Sequence, residues 1–80
     1  MHDVMLFGDG WSGEVRQVEQ GVRHFRYSPP AHEPRLREIT FTINEYIAED
    51  GDTYLYGFTD REPLMEDLEE SIMRQNPTPI

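Results

Sequence analysis

The chain has no cysteine and no lysine among its 80 residues. Without thiols there is no disulfide framework and no thiolate metal site, and nothing requires an oxidising compartment. All seven cations are arginine. GC-rich coding produces such a bias, and arginine also suits forked and stacked contacts. No apolar run approaches the roughly 20 residues of a membrane-spanning helix. Met1-His2-Asp3-Val4-Met5 carries no basic leader, so neither a signal peptide nor a membrane partner is expected. His2, His24 and His32 lack metal-ligand spacing. Ser12, Ser28 and Ser71 lie outside any nucleophile elbow. Gly8-Asp9-Gly10-Trp11-Ser12-Gly13 is followed by no Lys-Ser/Thr pair, so it does not read as a phosphate loop. These absences point away from an enzyme, and no cofactor or metal is expected.

What is present is a lopsided charge. Residues 1–37 hold five acids and five arginines; residues 38–80 hold eleven acids and two arginines, and so carry the whole net charge of −9. A neutral, arginine-bearing half joined to an acidic half favours basic partners over nucleic acid. At this length the chain is one domain, stable by a narrow margin that partner binding would widen.

The patterning predicts a small α+β domain over residues 1–75 with a proline-containing tail, 76–80. Val4 to Phe7 is a first strand, ending in the Gly8–Gly13 loop. Glu14 to Glu19 is a second, and a Gln20-Gly21 turn joins it to a third over Val22 to Tyr27. Pro29, Pro30 and Pro34 break the chain. Ile39, Phe41, Ile43 and Ile47 then alternate with Thr40, Thr42, Asn44 and Tyr46 in the clearest strand. A two-residue Asp50-Gly51 turn would set Ile47 opposite Tyr54 and Ile43 opposite Phe58. Phe41, Ile43, Ile47, Tyr54, Tyr56 and Phe58 would share one apolar face. A capping box from Thr59 to Glu62 starts a helix, with Leu64, Met65, Leu68, Ile72 and Met73 as its buried stripe, and Asn76-Pro77 stops it. The expectation is an antiparallel sheet of about five strands with one C-terminal amphipathic helix packed on the last hairpin.

Two sets of residues could bind a protein. Glu62, Glu66, Asp67, Glu69 and Glu70 on the helix, with Asp50 and Asp52 on the hairpin, would form an acidic face. The same pattern also suits a solvated face that confers solubility. Trp11, Arg16, Arg23, Phe25 and Tyr27 interleave arginine with aromatics, as protein hot spots and stacking platforms do. For Phe25 and Tyr27 the alternative is an ordinary strand whose aromatics enter the core; Trp11, between glycines in a loop, could equally fold back as a lid over the sheet end. The Gln20-Gly21 turn would bring Arg16 and Val18 alongside Arg23 and Phe25. Glu49-Asp50-Gly51-Asp52 lacks the spacing of a calcium loop. The Pro29 to Arg35 stretch could suit a proline-recognition groove, or simply connect two strands.

The opening Leu6-Phe7-Gly8-Asp9-Gly10-Trp11-Ser12-Gly13-Glu14-Val15 resembles that of short proteins encoded by bacteriophages of actinobacteria. In those a strand leads into a glycine-rich aromatic loop and a valine-bearing strand. Asp9 and Ser12 stand where the pattern has glycine and aspartate. Asn44-Glu45-Tyr46 and Tyr54-Leu55-Tyr56, either side of Asp50-Gly51, are similar to their tyrosine-rich strand pair. The resemblance implies a phage origin and agrees with the missing lysine, but it carries no assigned activity and no functional residues. The expected function is non-enzymatic protein binding: a phage accessory factor docking on a basic host protein. The alternatives are a virion subunit packing against its own copies or other virion proteins, and a small nucleic-acid-binding regulator. The corresponding locations are the host cytoplasm or the virion.

Overall fold

The computed structural model describes residues 1–28 and 38–80; the Pro29 to Arg35 stretch lies outside them. Five strands and one helix follow in order: β1 (His2–Gly8), β2 (Trp11–Val18), β3 (His24–Tyr27), β4 (Ile39–Ile47), β5 (Thr53–Phe58) and α1 (Met65–Gln75). They form one α+β unit with sheet order β2-β1-β5-β4-β3. Pairing is antiparallel except between β1 and β5, which run parallel.

Asp9-Gly10 alone closes the β1–β2 hairpin, because Gly8 already faces Trp11. Trp11, Ser12 and Gly13 therefore belong to a strand, not to the expected loop. The register slips once, between Leu6 and Phe7, where Leu6 faces Glu14 and Phe7 faces Ser12. Gly13 is the extra residue of this bulge, at φ 103°. A Cβ there would lie 2.5 Å from the Ser71 Oγ, so helix and bulge fit together only because Gly13 has none.

The Gln20-Gly21 hairpin is not formed. β3 pairs with β4 alone, and β2 and β3 lie at opposite edges of the sheet. In a flat sheet those edges would be four strand spacings, about 19 Å, apart. The five linking residues reach about 20 Å only when fully extended. This link contains a turn, Val22 N–H to Glu19 C=O at 3.4 Å. The sheet therefore curls, and Trp11 of β2 meets Tyr27 of β3 with ring centroids 5.1 Å apart.

The β4–β5 register differs by one residue from the expected one. Tyr46 faces Tyr54, Asn44 faces Tyr56 and Ile43 faces Gly57. The cause is a three-residue loop: Gly51 N–H bonds the Ala48 carbonyl at 3.0 Å and Ala48 N–H bonds that of Asp52 at 2.8 Å. Gly51, at φ 91°, takes the left-handed position that follows a type I turn in such loops. A one-residue slip moves every side chain of a strand to the other face. Two cores result. Val4, Leu6, Val18, Phe41 and Ile43 fill the inside of the curl. Met5, Phe7, Tyr54, Tyr56 and Leu68 form the outer core under the helix.

The helix begins six residues after Thr59, with Leu64 as N-cap. Asp67, three residues on, accepts the Leu64 N–H at 3.3 Å, so Thr59 and Glu62 make no capping box. Its contacts extend past the last hairpin to β2. Ser71, fully buried, donates to the Gly13 carbonyl at 2.7 Å, and Arg74 donates to that of Ser12 at 2.7 Å. Asn76, left-handed at φ 49°, ends the helix, its N–H on the Ile72 carbonyl. The tail folds back. Pro77 is buried, Thr78 N–H bonds Asp3 Oδ2 at 2.9 Å and Ile80 N–H bonds the Thr53 carbonyl at 2.8 Å. The Thr78 amide, opposed by burial and helped by Gln17, holds the Asp3 carboxyl below its ordinary value.

Candidate functional site

The aromatic and arginine set is divided by the topology. Phe25 and Tyr27 point inward from β3, Trp11 inward from β2, and all three are half-buried against the inner core. Trp11 also stands edge-on to Phe41, 5.9 Å away, and Phe25 lies 6.3 Å from Phe41. The Arg16 guanidinium sits 4.9 Å from the centre of the Trp11 ring. Such aromatic pairs contribute about 0.5–1.5 kcal/mol each beyond their burial. These rings close the seam of the curled sheet. Arg23 is exposed at the entry to β3, and its carbonyl accepts the Ile43 N–H at 2.8 Å. Arg16 and Val18, across the sheet on β2, do not come alongside it as a paired strand.

The acidic set splits into carboxylates with internal tasks and carboxylates without them. Asp67 caps the helix. Asp50 accepts the Asp52 N–H at 3.0 Å and shapes the turn. Glu70 pairs with Arg74 at 3.3 Å, an exposed pair of little energetic weight. Glu62 accepts from Asn44 Nδ2 at 3.2 Å and from the Tyr56 hydroxyl at 3.3 Å. Glu69 accepts from the Tyr46 hydroxyl. The side chains of Glu49, Asp52 and Glu66 have no hydrogen-bond or ion-pair partner among the described residues.

Hairpin and helix carboxylates converge on one recess of about 390 Å³. Ala48, Tyr54, Met65 and Ile72 make its floor, and Glu49, Asp50 and Glu69 its rim. Tyr54 in the recess and two other phenols of the same core, Tyr46 and Tyr56, hold their protons above the ordinary tyrosine value. The hydrogen bond to Glu69, with burial and the Glu69 and Glu49 charges, pushes Tyr46 up to about 12. Burial raises Tyr54, with Asp50, Asp52 and Glu69 adding to it. Tyr56 is raised by burial and then by Glu62.

The helix phase departs from the expected stripe. Leu68, Ser71 and Ile72 turn toward the sheet, whereas Leu64, Met65 and Met73 are 68%, 67% and 85% exposed. The reason is the close seat of Ser71 on Gly13, which places the small residue at the centre of the contact. Met65, Glu69 and Met73 recur at four-residue spacing, two exposed thioethers either side of a half-buried carboxylate. That spacing was legible in the sequence; the outward orientation was not.

A second groove, about 480 Å³, runs between the β1–β2 hairpin and the segment before the helix, with Phe7, Trp11, Pro63 and Leu64 as apolar walls. Arg61 and Arg74 line it with Glu62, Asp67 and Glu70, so its charge is mixed. Among the described residues, no three of His, Asp and Glu gather as metal ligands. Compared with family models, curated proteins and solved structures, the chain finds no match.

Proposed function

We propose that this protein acts by binding a basic protein partner, without catalysis, as a phage-encoded accessory factor. The observation that carries this reading is the recess where hairpin and helix meet. It combines a largely apolar floor that includes the exposed Met65 with a carboxylate rim drawn from two elements. Methionine is polarisable and adapts its shape to a partner. Carboxylates around an apolar floor steer a cationic surface and disfavour an anionic one. Phosphate backbones would meet the same charge with repulsion. The phage assignment rests on the opening motif and the arginine-only composition.

Glu49, Asp52 and Glu66 are the residues to reverse, because their side chains have no hydrogen-bond or ion-pair partner among the described residues. Glu49→Arg, Asp52→Arg and Glu66→Arg together should leave the urea midpoint unchanged. Capture from an actinobacterial lysate should be lost, and the association rate of the captured partner should fall at least about tenfold at low salt. A partner retained equally by the triple variant would refute this surface.

A further inference from the structure

The neighbours of β4 change along its length. Residues 39–42 pair with β3, and Ile43 N–H reaches the Arg23 carbonyl. Beyond that point β3 has ended. In an antiparallel ladder, successive residues direct their backbone groups alternately to either side. Ala48 bonds across to Asp52 on the β5 side, and Ile43 bonds to the β3 side. Glu45 and Ile47, in phase with Ile43, therefore aim both N–H and C=O past the end of β3. Among the described residues, no backbone group bonds to that edge.

Edges of this kind are normally short, covered or twisted away. This one continues an existing strand line and carries Ile47, 70% exposed. Its side-chain face opens on a groove of about 1130 Å³ with Val22, Arg23, Ile43, Glu45, Ile47 and Leu55 in its lining. From these observations we infer that the β4 edge at Glu45–Ile47 accepts an extended segment of a protein partner as an added strand, one with a basic residue two positions from an apolar one. The inference deepens the preceding reading, rests on its basic partner and adds a second point of attachment.

The chemistry selects the occupant. Main-chain hydrogen bonds supply affinity in strand addition, and alternate side chains supply specificity. The residue opposite Glu45 projects into the groove beside a carboxylate, so a cation fits there. The residue opposite Ile47 projects the same way onto Ile47 and Leu55, so an apolar side chain fits there. The adjoining tip holds Glu49, Asp50 and Asp52. A second copy of this chain would bring the same acids against their mates, and like charges on paired strands oppose pairing.

The test uses the ¹⁵N-labelled full chain and a synthetic peptide, Thr-Arg-Thr-Val-Thr-Arg-Thr. Amide exchange is read by NMR, beside a control peptide N-methylated at both arginines and the valine. The Glu45 and Ile47 amides should exchange freely in the protein alone and slow at least about tenfold with saturating peptide. The methylated control should not slow them, and Glu45→Arg should weaken peptide binding. Overturning results are four: slow exchange without peptide, slowing that follows protein concentration alone and so indicates self-pairing, peptide binding without slowing, and no binding at about 1 mM. Peptide shifts confined to Ala48, Tyr54 and Met65 would remove the edge and leave the helix recess standing. Edge protection with undiminished capture by the Glu49/Asp52/Glu66 variant would remove the recess and leave the edge.

Discussion

Replacing Gly13 with alanine should loosen the helix from the sheet more than any surface change of equal size. The added Cβ would lie 2.5 Å from the Ser71 Oγ, 2.8 Å from the Ser71 Cβ and 3.3 Å from the Phe7 ring. Ser71 is fully buried and donates to the Gly13 carbonyl, so rotating its hydroxyl away forfeits a hydrogen bond of about 1 kcal/mol. Overpacking of this kind costs about 1–3 kcal/mol. Holding a residue with a Cβ at φ 103° adds about 1–2 kcal/mol. Even the lower ends of these ranges total about 3 kcal/mol, a large part of the stability of so small a domain, and lower its melting temperature by about 12–24 °C. Urea denaturation of Gly13→Ala, Ser71→Gly and the double variant measures this. The double variant removes the clash but keeps the backbone strain, so the two changes should couple by about 1 kcal/mol or more. A cost below about 1 kcal/mol for Gly13→Ala, or additivity with Ser71→Gly, would refute the seating of the helix on the bulge.

Two further outcomes follow from the packing. Trp11→Ala removes the ring that joins the two edges of the sheet, and should destabilise by about 2 kcal/mol, less than a fully buried tryptophan because Trp11 is only half-buried. Phe25 and Tyr27 amides should gain exchange while those of the helix hold; uniform loosening of both would contradict a local seam. Tyr46→Phe tests the phenol bonded to Glu69. The folded value near 12 lies above the ordinary 10.0, so the folded state keeps this proton more tightly than the unfolded one. The hydrogen bond's stabilisation is therefore complete below pH 10 and is lost as pH rises to about 12. Between those limits the wild type should lose stability more steeply than Tyr46→Phe, as followed by denaturation and by tyrosinate absorbance; parallel curves would refute the linkage.

Much of the fold could be read from local pattern. The alternation of Ile39 to Ile47 and the stop at Asn76-Pro77 reflect rules that act within a few residues. The two misplacements that mattered were each non-local. Asp50-Gly51 is equally good chemistry for a two-residue and a three-residue loop, and only the second places Tyr54, Tyr56 and the half-buried Phe58 on the outer side. Gln20-Gly21 is a sound turn, but nothing local says that the strand after it pairs with β4.

The acidic patch was likewise half legible. Counting carboxylates locates the charge on the last 43 residues, yet it cannot separate Asp67, occupied by a helix cap, from Glu66, which has no such task. The same holds for the aromatics. Trp11, Phe25 and Tyr27 read equally as partner anchors or as lid and core, because no local rule says that β2 and β3 curl toward each other.

Composition and short-range periodicity determined the class of molecule: five strands, one helix, a strongly negative second half and no thiol chemistry. Tertiary structure alone decided which face each strand presents and which acids the fold binds, because a one-residue register and the curl of a sheet are set by packing between segments far apart in the chain.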